Sequence, residues 1–124
     1  MSVTAMKNYC TAAAIAVDGL PLAKSGRVLL LHITDVRQEN THYLSRENRV
    51  IIKEPSQDDI NLGKYGTARF NLKTSGNFKL YALERDGSVL GTVPFRKTAD
   101  GIEFTADTFR IPGKVVFAYE LKKL

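Results

Sequence analysis

Residues 26–35 read Gly26-Arg27-Val28-Leu29-Leu30-Leu31-His32-Ile33-Thr34-Asp35, and the interpretation of this stretch decides the fold. Val28, Leu29, Leu30, Leu31 and Ile33 form an apolar run broken only by His32. Turn residues bound it on both sides, at Ser25-Gly26 and Thr34-Asp35. A run this short is expected to be a strand covered on both faces, central in its sheet, although periodicity alone does not separate it from a buried helical segment. His32 is then expected to be a hydrogen-bonded core or sheet-face residue rather than a catalytic base.

Toward the N-terminus, residues 12–17 (Ala-Ala-Ala-Ile-Ala-Val) combine helix-favouring alanine with an alternation of Ile15 and Val17 and a following Asp18-Gly19 turn. The turn and the alternation favour a strand. Toward the C-terminus the apolar pattern lapses over residues 36–48, a loop with Tyr43 and Leu44 as its anchors. Residues 49–53 are a short β-branched strand ended by Pro55 and Ser56-Gln57-Asp58-Asp59. Residues 60–65 form an irregular connection with Leu62 pointing inward.

Beyond Gly66 the pattern is regular. In residues 67–73, Ala68, Phe70 and Leu72 alternate with Thr67, Arg69, Asn71 and Lys73, the signature of a half-buried antiparallel strand. Phe78, Leu80 and Ala82 alternate in the same way. Asp86-Gly87 and Asp100-Gly101 mark hairpin turns, Pro94 places residues 89–95 at an edge or at a strand end, and Pro112-Gly113 turns the chain into residues 114–121. There Val115, Phe117, Tyr119 and Leu121 share one face. About eight short strands with turns at short, even spacing predict an all-β, two-sheet antiparallel β-sandwich, immunoglobulin-like or related. A small closed β-barrel is the alternative. The pattern marks one domain over residues 1–124 with an ordered core from about 12 to 121.

The 124 residues suffice for one core without staples. The net charge of +5 is spread from Lys7 to Lys123 with no block of like charges, so neither a nucleic-acid partner nor a membrane partner is expected. Residues 1–7 lack a signal-peptide pattern, and no apolar run is long enough for a helical membrane span. Cys10 is the single cysteine, which excludes an internal disulfide and a Cys-based metal site. No cofactor is implied: Gly-rich phosphate loops and nucleophile elbows are absent from the sequence.

The thirteen carboxylates fall mostly in turns, where turn chemistry explains them, and none calls for a catalytic role. His42, in a polar loop, lacks a second histidine at metal-ligand spacing. There is no tryptophan to serve as a sugar platform. Tyr43 and Tyr65, beside loops, are with His42 the candidate glycan contacts, for which a stand-alone carbohydrate-binding module is the alternative function.

Several segments taken together resemble a known family. Asp18-Gly19-Leu20-Pro21-Leu22 leads into Arg27–Asp35; Gln38-Glu39-Asn40-Thr41 follows, then Tyr81–Gly91 and Phe104–Thr108. This pattern is similar to the C-terminal accessory β-sandwich behind the catalytic barrel of large bacterial glycoside hydrolases, over about residues 12–121. After Asn40-Thr41 the family tends to carry Gly-Met, where this chain has His42-Tyr43. The resemblance implies a non-catalytic accessory domain of a carbohydrate-active enzyme, with the catalytic acids on a barrel that this chain does not contain. Its implied partners are that barrel, in the same parent polypeptide, and the polysaccharide the parent acts on; a secreted or periplasmic parent is compatible with it. It also implies an apolar patch left exposed when the domain stands alone.

Overall fold

The computed structural model describes residues 1–45, 47, 51–53 and 61–124, and these divide into two compact units: residues 1–34 with 65–124, and residues 35–64. The strands in chain order are β1 (Ser2–Lys7), β2 (Thr11–Ala16), β3 (Arg27–Ile33), β4 (Val36–Gln38), β5 (His42–Tyr43), β6 (Ile51–Lys53), β7 (Asn61–Gly63), β8 (Thr67–Lys73), β9 (Phe78–Leu83), β10 (Val89–Thr92), β11 (Arg96–Thr98), β12 (Gly101–Asp107) and β13 (Ala118–Lys123). The larger unit is a sandwich of two antiparallel sheets, ordered β1-β8-β12-β11 and β10-β9-β13-β3-β2. Both sheets keep free edges, so neither closes into a barrel. The smaller unit holds two antiparallel ribbons, β4 with β7 and β5 with β6.

Alternation builds the core. Ala68, Phe70 and Leu72 of β8 and Ile102, Phe104 and Ala106 of β12 meet Val28 and Leu30 of β3, Leu80 and Ala82 of β9, and Tyr119 and Leu121 of β13. Phe70 stacks on Phe104 within one sheet, and Phe104 packs against Tyr119 of the other at 5.4 Å between ring centroids. The Tyr119 hydroxyl accepts the Asp107 N–H and donates to the Asp107 carbonyl, both at 2.9 Å. This tie pins the end of β12 to the start of β13 where the chain crosses between sheets. Burial pushes the Tyr119 phenol up to about 12, so it serves as a neutral donor and acceptor.

Turn chemistry sets the entry into β3. The Asp18 carboxylate accepts hydrogen bonds from the Ser25 hydroxyl (2.8 Å), the Gly26 N–H (2.7 Å) and the Leu20 N–H (3.3 Å), closing the 18–26 turn. Those donors, the Ser25 hydroxyl first, hold its carboxyl below the ordinary aspartate value. At the β11–β12 hairpin Gly101 has no alternative: a Cβ there would stand 1.9 Å from the Leu72 carbonyl oxygen.

Several expectations change. β3 is not the central strand: β13 is, and β3 lies next to the edge strand β2. Nor is β3 covered on both faces, because Leu29 and Leu31 are only half-buried and Ile33 is exposed on the side away from the core. Ordered strands extend beyond residues 12–121 on both sides, since β1 pairs with β8 through Ser2–Lys7 and β13 runs to Lys123. The last strand begins at Ala118, so Val116, whose N–H donates to the Thr108 carbonyl at 2.8 Å, is fully buried in place of Val115. Of the expected strand 49–53 only 51–53 is described, in β6; residues 49–50 and its terminator 55–59 lie outside the described residues. The expected loop 36–48 and connection 60–65 contain β4, β5 and β7 as two- and three-residue strands.

Candidate docking face

The two sheets present opposite chemistry to their surroundings. Register partners in antiparallel strands point to the same side, so each outer face can be assembled from the pairings. On the four-stranded sheet the outer residues are Arg69, Asn71 and Lys73 of β8, Glu103 and Thr105 of β12, and Arg96 of β11, with Arg96 and Glu103 ion-paired at 2.9 Å. That face is polar and charged.

The five-stranded sheet carries apolar side chains on its outer face. One row runs Ala13, Leu31, Ala118, Leu83 and Val89 across β2, β3, β13, β9 and β10. A second runs Ile15, Leu29, Glu120 and Tyr81, flanked by Val17 beyond β2 and by Ile33 at the far end of β3. Ile15 and Val17 are each 47% exposed and Val89 57%. Glu120, the one charge within the two rows, is ion-paired to Arg27. Lys79 and Lys122 line up with Arg27 at one end of the face, and the Glu84–Lys114 ion pair (2.6 Å) follows Leu83 at the other. The hydrogen bond from Lys114 holds the Glu84 carboxyl below its ordinary value and raises the lysine in turn. The face is therefore an apolar field with a charged rim. Four inter-strand spacings and about five residues along each strand give it roughly 300–400 Å².

The sequence-predicted site residues fall in different places. His42 is exposed and Tyr43 half-buried, both in β5, where they pair with Lys53 and Ile51 of β6. Tyr65 belongs to the larger unit. Its ring packs against Phe109 at 5.7 Å between centroids and lies under the Lys7 ammonium at 5.4 Å, while the Asn8 side-chain amide donates to its carbonyl at 2.7 Å. Both neighbours engage that ring as part of the fold. Burial raises the half-buried Cys10 thiol, the opposite of activation.

His32 is fully buried, as expected, but it is not hydrogen-bonded through its ring. Among the described residues neither Nδ1 nor Nε2 meets a hydrogen-bond partner, and the ring sits edge-on to Phe70 at 6.2 Å. Burial pushes the imidazole below its ordinary value; the Asp107 carboxylate acts the other way and does not prevail. The resemblance implies an exposed apolar patch, but the residue pattern does not locate it on this sheet, because the apolar run of β3 reads equally as a strand covered twice. Comparison with protein-family models, with curated proteins and with solved structures found no match.

Proposed function

We propose that this chain is a non-catalytic accessory sandwich that packs beside the catalytic barrel of a glycoside hydrolase through the outer face of its five-stranded sheet. The observation that carries the reading is the contrast between the two outer faces: one polar, the other apolar with Ile15, Val17, Ile33 and Val89 exposed. At roughly 300–400 Å² the field is the size of the largest apolar patch on a typical monomer, and such patches are often functional.

Size favours a neighbour on the same polypeptide. A stable complex between separate proteins buries about 800 Å² per partner, roughly twice what this face offers. Interfaces between domains of one chain bury roughly 600–1,500 Å² in total, counted over both sides, which matches it. The covalent link supplies the effective concentration that a small interface lacks. The identity of the neighbour as a barrel, and of the parent as carbohydrate-active, rests on the family resemblance of residues 12–121.

The test is the genomic reading frame around this coding sequence. A barrel-encoding segment continuous with the codon for Met1 supports the proposal. A complete separate gene with its own promoter, encoding this chain alone, contradicts it.

A further inference from the structure

The sandwich has four sheet edges, and three of them are blunted. β1 breaks register between Thr4 and Lys7, with Ala5 and Asn8 at φ 49° and 71°. β10 has four residues, breaks register between Val89 and Gly91, and runs on toward Pro94. β11 has three residues, of which Arg96 and Lys97 are two. Short length, bulges, charge and proline are the devices that keep sheet edges from pairing with other chains. β2 has none of them: its six residues, Thr-Ala-Ala-Ala-Ile-Ala, carry no charge and no proline and keep unbroken register with β3.

The phase of its backbone is fixed as well. The Val17 N–H donates to the Arg27 carbonyl at 3.0 Å. Bonded and non-bonded pairs alternate along an antiparallel ladder, so Thr11, Ala13 and Ile15 bond to β3. The N–H and C=O groups of Ala12, Ala14 and Ala16 therefore point out of the sheet.

We propose that β2 is a homodimerisation edge, pairing antiparallel with β2 of a second copy about a two-fold axis at Ala14. Opposed residues must share a face, which puts the axis on a residue rather than between two. An axis on Ala14 bonds Ala14 to its equivalent and Ala12 to Ala16, using only the outward-pointing groups. On the outer face it sets the exposed Ile15 against Ala13 and Val17 against Thr11 of the second copy. An axis on Ala13 extends the pairing to Cys10 and Tyr9, outside β2. Self-pairing also suits this strand chemically, because a two-fold brings like residues close together and β2 has no charges to repel one another. The pairing joins two five-stranded sheets edge to edge.

The test combines sedimentation of the whole chain from micromolar to millimolar concentration with residue-resolved amide exchange. The mass is expected to move from the 13.8 kDa of one chain to twice that value. Over the same range the Ala12, Ala14 and Ala16 amides slow at least about tenfold, while those of Ala13, Ile15 and Val17 do not change. Ala14→Pro, which removes an N–H that points away from β3, stays at the mass of one chain with an unchanged circular dichroism spectrum. If that variant does not fold, the amide pattern of the native chain decides alone. A native chain that keeps the mass of one copy at millimolar concentration overturns the proposal. So does a dimer whose Ala12, Ala14 and Ala16 amides exchange as fast as in dilute solution, since it uses another surface.

Discussion

His32→Leu is expected to make the protein more stable, and increasingly so as the solution is acidified. The native imidazole is 0% exposed with an N–H and a lone pair that meet no partner among the described residues. A buried polar group left unpaired costs about 1–3 kcal/mol, and leucine removes both such groups. Against this stand the lost edge-on contact with Phe70, about 0.5–1 kcal/mol, and imperfect shape replacement of up to about 1.5 kcal/mol. The net at pH 7.5 is a gain of about 1 kcal/mol. On acidification the unfolded chain takes up a proton at His32 near its ordinary value of 6.5, while the folded chain resists because burial depresses the imidazole. The unfolded state then binds more protons, so native stability falls as pH drops through that value. Between pH 7.5 and 5 the loss is at most about 2 kcal/mol, reached if the folded imidazole stays neutral throughout. The carboxylates held low by hydrogen bonds, Asp18, Glu84 and Asp86, have ordinary values of 3.8–4.5, so their losses come at lower pH. Urea unfolding at several pH values, followed by far-UV circular dichroism because the chain has no tryptophan, measures the difference between variant and native chain. A His32→Leu protein that is less stable at pH 7.5, or whose advantage stays flat down to pH 5, refutes the reasoning.

Tyr119→Phe keeps the ring against Phe104 but takes the hydroxyl from the Asp107 N–H, while the Asp107 carbonyl keeps the Arg110 N–H at 3.3 Å, so it costs about 1–2 kcal/mol and lowers Tm by roughly 4–10 °C in calorimetry. Gly101→Ala forces a Cβ into the Leu72 carbonyl and is expected to cost about 3 kcal/mol or more, read as loss of native urea midpoint. Leu31→Lys with Ile33→Lys, on the outer face, changes stability by less than about 1 kcal/mol yet abolishes retention on a hydrophobic-interaction column; the same pair of changes at Arg69 and Asn71 on the polar sheet leaves retention as it is.

The alternation of β8 and β9 and the Asp-Gly hairpins were readable in the sequence because half-buried strands carry a two-residue period and tight turns need glycine at positive φ, as Gly87 shows at 86°. β1 was not readable: Val3 is its only residue that is not exposed, and the strand exists because β8 offers it a partner. Burial of His32 followed from the run around it, whereas the lack of a ring partner depends on what faces it across the sandwich. The place of the apolar outer face was hidden for a related reason. Val28-Leu29-Leu30-Leu31 reads the same whether its second side is covered or open, and only the pairing of β3 with β2 and β13 shows that Leu29 and Leu31 stand in an open apolar row. Tyr65, legible as an aromatic beside a loop, is engaged by Lys7 and Phe109, residues far from it in sequence.

The proposed docking face is tested most directly by solvent paramagnetic relaxation of methyl-labelled Ile15, Leu29, Leu31 and Ile33, compared between this chain alone and this chain joined to the proposed catalytic barrel. These methyls are expected to relax strongly in the isolated chain and to be shielded in the larger protein, with the Thr105 methyl on the polar sheet equally accessible in both. Methyls of the apolar face that remain equally accessible in the two forms, or shielding that falls on the Thr105 side, would contradict the assignment of this face as the docking surface.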